Sequence, residues 1–278
     1  MLSKILKSLR TGVVTTRYPA ELRAPPEGFR GAPELRVGAT WAALPEASVC
    51  PSGAITKSDD RLTIDLARCI FCGRCESPAE GPIQIGREFE LAARQRGDLL
   101  VELTRDGADR VGAADSASTD QLSDHVRARI TSVLGRSLHL RHLDTGSCNA
   151  CDWELTALLN PTYDVRRLGI DFVASPRHAD GIVVTGPVTR NLEAAVKRTY
   201  EAMPDPRLVV AVGACACSGG IVGASYASAG GVGEVLPVDV FIPGCPPRPE
   251  AILFGLLVAI GRIESRRTKP EAQTASTS

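Results

Sequence analysis

Nine cysteines in closely spaced sets place the strongest constraint on how this 278-residue chain can fold. They stand at positions 50, 69, 72, 75, 148, 151, 215, 217 and 245. An odd number of cysteines, most of them close neighbours in sequence, is a poor framework for disulfides and is typical of metal ligation in a reducing compartment. The sequence therefore predicts a fold organised around bound metal.

The first four cysteines match one of the two cluster sites of a bacterial ferredoxin. CIFCGRC supplies Cys69, Cys72 and Cys75 at C-x2-C-x2-C spacing, and VCPSGAI supplies Cys50 followed by Pro51. In two-cluster ferredoxins, three cysteines of one run and the Cys-Pro of the other hold one 4Fe–4S cluster. The positions that would hold the other cluster are non-ligands: Thr40, Ala43, Glu46 and Ala79. This resemblance implies a small α+β ferredoxin-like domain with one 4Fe–4S cluster.

Zinc is an alternative occupant of this first thiol set. Zinc sites usually come as two C-x2-C pairs, whereas here a C-x2-C-x2-C run is combined with a distant Cys-Pro. The spacing therefore favours iron–sulfur. Gly53 and Gly73 also allow the tight backbone in which amide groups point at cluster sulfides.

The carboxyl-terminal half has the pattern of an α/β domain. A helix is predicted over residues 191–203, between the first two of three β-branched runs, and strands alternating with helices imply a parallel sheet. The predicted strands cover residues 181–185, 208–212 and 239–242. Ligands of open parallel sheets bind at the carboxyl ends of the strands. Cys215 and Cys245 lie in the turns that follow the second and third runs.

Cys148 and Cys151 form a C-x2-C pair in TGSCNACDWE, just before a predicted helix. Such a pair alone is weak support for a metal site, because redox disulfides use it too. Together with Cys215 and Cys245 it predicts a four-sulfur site suited to 4Fe–4S or zinc. Cys217 is left over and is expected to be a small buried residue.

Three segments of this half resemble a known group of redox subunits: DTGSCNACDWELTALLNPTYDVRRLGIDFVASPRHADGIVVTGPVTR, VVAVGACACSGG and PVDVFIPGCPPRPEAI. They are similar, over about residues 140–262, to the small subunit of nickel–iron hydrogenases and to the B subunit of respiratory complex I. The resemblance implies a flavodoxin-like α/β domain and a separate large catalytic subunit as partner. It also implies one 4Fe–4S cluster on Cys148, Cys151, Cys215 and Cys245.

Asn149 and Ala150 separate Cys148 from Cys151, whereas the B subunit of complex I has adjacent cysteines there. This spacing resembles the hydrogenases. SCNACD, SPRHAD and GACACSGG are most similar to group 4, the membrane-bound type found in formate hydrogenlyase. Those complexes also contain a ferredoxin-type subunit, so the chain resembles a fusion of two subunits, with two 4Fe–4S clusters.

The function implied is an electron-transfer subunit of an oxidoreductase, which relays electrons to or from an active site on the large subunit. A complex I-like quinone-reducing module is the first alternative, and a zinc-stabilised scaffold is the second. Neither a nicotinamide nor a flavin motif is visible. Lys plus Arg and Asp plus Glu both total 32, so the net charge of zero gives no electrostatic case for nucleic-acid binding.

Two further residues are candidates for proton transfer. Glu154 follows Cys151 by three residues, and His178 lies in SPRHAD. The hydrogenase resemblance would allow Glu154 to pass protons, and His178 to tune the cluster or carry a proton. The alternatives are a surface carboxylate for Glu154 and a hydrogen-bonded structural histidine for His178.

The first twelve residues predict an amphipathic helix, with Leu2, Ile5, Leu6 and Leu9 on one face. Such a helix either packs on its own domain or is a frayed terminus, or it docks on a membrane subunit or on the membrane surface. The apolar stretch at residues 251–260 is shorter than the roughly 20 residues of a membrane span, so no transmembrane span is expected. No secretory signal is visible. We expect a cytoplasmic protein, peripheral on the inner face of the cell membrane as part of a complex.

Composition divides the chain into five segments. The linker has Gly, Ala, Asp and Ser with almost no large apolar residues. The segments are an N-terminal helix with an irregular stretch (1–36), the ferredoxin-like domain (37–103), the linker (104–121), the second cluster domain (122–264) and a disordered tail (265–278).

Overall fold

The computed structural model describes residues 10–36, 49–76, 82–104, 137–205 and 207–260. The helix expected over residues 1–12 and the linker expected over 104–121 lie almost wholly outside these ranges. The tail expected from residue 265 lies wholly outside them.

Two small antiparallel sheets form the amino-terminal part. Strand β1 pairs with β4 in one sheet, and β3 lies between β2 and β5 in the other. The strands are β1 (Pro33–Leu35), β2 (Ile55–Lys57), β3 (Arg61–Asp65), β4 (Ile83–Ile85) and β5 (Leu100–Thr104). Leu62 and Ile64 alternate with half-buried or exposed polar residues along β3, which is the period-two pattern of a strand with one buried face.

Five parallel strands form the sheet of the carboxyl-terminal part. They are β6 (Leu138–Asp144), β7 (Ile170–Phe172), β8 (Gly181–Thr185), β9 (Leu208–Val212) and β10 (Val240–Ile242). Their spatial order is β10-β9-β8-β6-β7. Counted from the first strand of the sheet this is 2-1-3-4-5, the flavodoxin-like order. The expected α/β fold is therefore confirmed.

Helices connect and cover these strands. Four α-helices lie entirely within the described ranges: α1 (Ala150–Ala157), α2 (Arg190–Glu201), α3 (Ala214–Ser218) and α4 (Pro249–Ala259). Short 3-10 helices cover Arg96–Leu99, Val165–Leu168, Pro176–His178 and Val232–Glu234. Residues 249–258 of α4 are all buried, so the apolar stretch noted in the sequence is a core helix. Within the described ranges, no helix combines the length and apolarity needed to cross a membrane.

Helix α2 has a narrow buried face. Val196 is fully buried, but Leu192 and Ala195, within the turn before it, are exposed. The helix therefore lies on the surface and contacts the sheet along a narrow line, with its charged side chains in solvent.

The amino-terminal and carboxyl-terminal parts share one hydrophobic core. Leu62 and Ile83 from the antiparallel sheets belong to the same buried cluster as Ile182 and Val209 from the parallel sheet. The backbone N–H of Phe241 also donates to the Ala93 carbonyl at 2.8 Å, and that of Ala93 donates back at 3.0 Å. The two parts are packed together.

Candidate metal centres

The first four predicted cysteines line one cavity between the two antiparallel sheets. This cavity is also bordered by Pro33 and Ile85 of the two-stranded sheet and by Ile64 of the three-stranded sheet. The four cysteines are free thiols and half-buried. The structure thus brings together Cys50, Cys69, Cys72 and Cys75, which we call the first site.

Backbone conformation curls the first-site loop around its sulfurs. Gly53, Phe71 and Gly73 all have positive φ, at +62°, +55° and +76°. This conformation is uncommon for a residue with a side chain such as Phe71. The Phe71 amide donates to Cys69 Sγ at 3.3 Å, and the Ala54 amide donates to Cys50 Sγ at 3.2 Å. Amide hydrogen bonds to sulfur tune the potential of cluster ligands.

A carboxylate closes the turn that leads into the first-site loop. Asp65 Oδ1 accepts from the Ala67 amide at 3.0 Å, and the Cys69 amide donates to the Asp65 carbonyl at 3.0 Å. Arg96 binds the same carboxylate through two nitrogens, at 2.7 and 2.6 Å. Sequence reasoning missed this pair, because 31 residues separate the two side chains.

The first-site thiols differ in how readily they ionise. Burial raises the pKa of Cys69 to about 12 and that of Cys75 to about 11, and the neighbouring thiols add to both. For Cys50, burial is outweighed by hydrogen bonds from Ser52 and Ala54, so its pKa is lowered. Metal binding requires thiolates, so a bound metal would displace these protons.

The second four cysteines gather at the carboxyl edge of the parallel sheet. Cys148 and Cys151 follow β6, Cys215 follows β9 and Cys245 follows β10. Cys151 and Cys215 are half-buried, whereas Cys148 and Cys245 are exposed. Burial raises the pKa of Cys151, and repulsion from Cys245, Cys215, Asp152 and Cys148 adds to the rise. We call this set the second site.

Two glycines leave room for the sulfurs of the second site. A Cβ on Gly213 would lie 2.5 Å from Cys151 Sγ, and one on Gly220 would lie 2.9 Å from Cys215 Sγ. Both glycines also have positive φ, at +89° and +54°. A side chain at either glycine would overlap with the sulfur of Cys151 or Cys215.

Cys217 does not join the second site. It is on α3 with its side chain buried in the core, and its Sγ donates to the Ala211 carbonyl at 3.6 Å. Burial raises its pKa to about 12. This placement agrees with the expectation of a small buried residue.

A hydrogen-bonded network lies beside the C-x2-C loop of the second site. Asp152 Oδ1 accepts from Thr185 Oγ1 at 2.8 Å and lies 2.8 Å from His142 Nε2. The other Asp152 oxygen accepts from Ser147 Oγ. Burial lowers the pKa of His142 and outweighs the attraction of Asp152 and Asp144.

Sequence reasoning missed this network as well. His142, Thr185 and Asp152 come from three different elements, β6, β8 and α1. They become neighbours only when the parallel sheet forms. The sequence therefore carries no local spacing that could have indicated the contact.

Glu154 and His178 occupy different edges of the parallel sheet. Glu154 is half-buried on α1, and burial together with the nearby Glu250 raises its pKa, which Arg248 partly offsets. His178 is exposed and lies three residues before β8 begins. His178 therefore lies at the amino edge, opposite the cysteines, and this placement argues against the proton or tuning role considered for it.

The two sites face each other across the junction of the two parts. One cavity is lined by Ile70 and Phe71 of the first-site loop and by residues 243–247 around Cys245. Burial raises the pKa of Cys245, and both Cys148 and Cys72 of the first site add to the rise. The loop that carries Cys72 and the turn that carries Cys245 therefore border the same cavity.

The donor chemistry of both sites suits a sulfur-ligated metal group. Four thiols with no disulfide among them are the ligands of 4Fe–4S clusters and of structural zinc. Within the described part of the chain, no three His, Cys, Asp or Glu side chains gather closely enough for a single metal ion.

Comparison with known proteins agrees with the geometry of the second site. Residues 148–259 match the family "NADH ubiquinone oxidoreductase, 20 Kd subunit". The probable membrane-bound hydrogenase subunit mbhJ of Pyrococcus furiosus is 47% identical over 136 residues, which cover 49% of this chain and 81% of that protein. Formate hydrogenlyase subunit 7 of Escherichia coli is 40% identical over 149 residues, covering 54% of this chain and 58% of that protein.

A third relative represents the quinone-linked branch. The B subunit of NADH-quinone oxidoreductase from Citrifermentans bemidjiense is 50% identical over 117 residues, covering 42% of this chain and 68% of that protein. The family match contains all four second-site cysteines and none of the first-site cysteines. Through its carboxyl-terminal half, the chain belongs to the family of the NADH ubiquinone oxidoreductase 20 Kd subunit.

Proposed function

We propose that the chain is an iron–sulfur electron-transfer subunit of a hydrogenase or formate hydrogenlyase-like complex, with one 4Fe–4S cluster at each site. The observation that carries this proposal is the arrangement of two four-thiol sets on one packed core, with the first-site loop and the turn around Cys245 lining one cavity at the junction. A 4Fe–4S cluster supplies one-electron redox chemistry when bound. The chain's own residues hold the ligands, limit access of water and bring the two sites close together.

The proposed route for electrons runs from the first site to the second, or the reverse, and ends at a large catalytic subunit. The exposed faces of Cys148 and Cys245 support a partner at the second site. Trp153, on the helix that follows the C-x2-C loop, is 74% exposed, and large aromatic side chains are enriched at protein interfaces. We place the large subunit against this face, and the membrane subunits near the amino-terminal segment.

The test of the proposal is anaerobic purification followed by iron and sulfide analysis and EPR spectroscopy. Two cubanes predict roughly eight irons per chain and reducible S=½ signals. Because the sites are neighbours, we expect the two signals to broaden each other when both clusters are reduced. About four irons would contradict the two-cluster proposal, and a colourless protein with stoichiometric zinc would favour the scaffold alternative.

A quinone-reducing module is the second candidate, and the 50% identity to the B subunit of an NADH-quinone oxidoreductase favours it. The two residues between Cys148 and Cys151 favour the hydrogenase branch instead. Affinity purification of the intact complex separates the two candidates. A co-purifying large subunit with two C-x2-C nickel motifs and bound nickel supports the hydrogenase, and one that lacks both supports the quinone module.

A further inference from the structure

The C-x2-C loop of the second site is held by two carboxylates. Asp144 Oδ1 accepts from the amides of Gly146 and Ser147, at 2.9 and 2.7 Å. Asp152 accepts from the Ser147 hydroxyl, which in turn accepts from the Asn149 amide at 3.0 Å. These bonds define the backbone on both sides of Cys148.

His142 and Thr185 hold the second of these carboxylates from the sheet. Thr185 is fully buried, and its hydroxyl donates to Asp152 Oδ1. His142 Nε2 lies 2.8 Å from the same oxygen and 3.0 Å from Thr185 Oγ1. A carboxylate can only accept hydrogen bonds, so Nε2 of His142 carries the proton. Asp152 directly follows Cys151, so the side chain of Asp152 connects Cys151 to the two residues of the sheet.

We propose that His142 is a positioning residue for the second site, which orients Cys148 and Cys151 through the carboxylate of Asp152. This inference rests on the proposed cluster at that site. In this role His142 acts through Asp152 and not on the sulfurs themselves. Outer hydrogen-bond partners that orient metal ligands typically contribute roughly 10- to 100-fold in metal affinity.

The same strand offers a matched control. His139 is also on β6 and also pairs with a carboxylate, since its Nδ1 lies 3.9 Å from Asp180 Oδ2. The two histidines have similar side-chain exposure, at 29% for His139 and 31% for His142. They differ in position, because His139 lies near the amino end of β6 and His142 near its carboxyl end.

The test compares H142A, H142Q and H139A with the wild type in the full chain. Release of second-site iron to a chelator is followed together with the EPR signal of the reduced second cluster. We expect H142A to release this iron roughly 10-fold faster and to alter the EPR line shape, with first-site iron unchanged. The amide of Gln can donate from nearly the same place as Nε2, so H142Q is expected to restore the wild-type behaviour.

The outcomes separate this inference from the proposed function. A wild-type protein without a second cluster would overturn the proposed function itself. A wild-type protein with the cluster, and H142A with unchanged release and line shape, would overturn only the role of His142. An equal effect of H139A, or a failure of H142Q to rescue, would also overturn it by pointing to general weakening of the strand. If H142A does not fold, the comparison of H142Q and H139A with H142L decides, because H142L keeps the bulk and lacks the donor.

Discussion

The first and second sites each consist of four thiols, but different kinds of scaffold position these thiols. Three of the four first-site cysteines come from one seven-residue loop, 69–75, between two small antiparallel sheets. The second-site cysteines come from the ends of three strands of a parallel sheet and are spread over residues 148–245. A site on strand ends inherits the rigidity of the sheet, whereas a site on a loop depends on local backbone conformation and a few hydrogen bonds.

The two sites also use different partners to hold their positioning carboxylates. Asp65 of the first site is bound by a guanidinium, and Asp152 of the second site is bound by an imidazole and a hydroxyl. The backbone beside the cysteines is therefore held by a residue of a 3-10 helix at the first site and by residues of the parallel sheet at the second.

Loss of a ligand should give the largest effect. C69S and C245S are each expected to lower iron from roughly eight to roughly four per chain, because a cubane that lacks one thiolate is weakly held. EPR of the reduced proteins should show that C69S retains the second-site signal and C245S the first. C217A is the control, since its buried thiol belongs to neither set, and it should keep all the iron. Loss of both signals from either ligand variant would show that the two sites assemble together.

The next largest effect is expected from a methyl group at Gly213, which should lower the iron content of the second site more than a matching change lowers that of the first. The added Cβ would lie 2.5 Å from Cys151 Sγ and would also be placed at a positive φ, so G213A is expected to lose most second-site iron. G53A in the first site adds only the conformational cost, about 1 kcal/mol, because its Cβ would meet nothing within 4 Å. G233A is the control for the substitution itself, since it has open space around it and no positive φ. Iron content is the measurement, and full iron in G213A would contradict the account of the second site.

Removing the cation of the first site should have a moderate effect. R96M is expected to destabilise the turn before Cys69 by about 1 kcal/mol, a value reduced for the partial exposure of Arg96. First-site iron should then be released several-fold faster than in the wild type, with second-site iron unchanged. R61M is the control, because Arg61 is on the same strand as Asp65 and its ion pair with Glu102 lies at the other end of that strand. Equally accelerated iron release from both sites in R96M would contradict the view that Arg96 supports only the first site.

The smallest effect is expected where the two parts touch. Ser218 Oγ donates to the Ala67 carbonyl at 2.9 Å, which links α3 to the turn before Cys69. S218A should lower the free energy of unfolding by about 1 kcal/mol, the usual net value of a hydrogen bond, although it also removes the acceptor of the Gly220 amide. Chemical denaturation measures this change. S225A, on an exposed loop, is the control and should change the free energy of unfolding much less.

Strong local signals made much of the fold predictable. Two strands, Gly181–Thr185 and Leu208–Val212, have the bounds predicted from their continuous apolar runs. Strand β6 carries no such signal, because LHLRHLD alternates apolar and polar residues and contains two histidines. Several side chains of β6 are half-exposed, so this strand lacks the continuous apolar run that is typical of a fully buried strand.

The sites were predictable to the extent that their chemistry is local in sequence. Cysteine spacing singled out all eight thiols that the structure gathers into two sets. The Asp65–Arg96 pair and the His142–Asp152–Thr185 network depend on tertiary proximity, so no residue spacing in the sequence predicts them. The position of His178 was open to deduction, because a residue just before a predicted parallel strand must lie at the amino edge of the sheet.

The paired hydrogen bonds between Ala93 and Phe241 have a consequence for solubility. Strand β10 is at the border of the parallel sheet, and Ala93 occupies its outward-facing N–H and C=O groups at Phe241. Unprotected border strands recruit other chains and seed aggregation. A fragment that starts at residue 137 would uncover this border and part of the shared core, so the amino-terminal part also acts as a built-in guard against self-association.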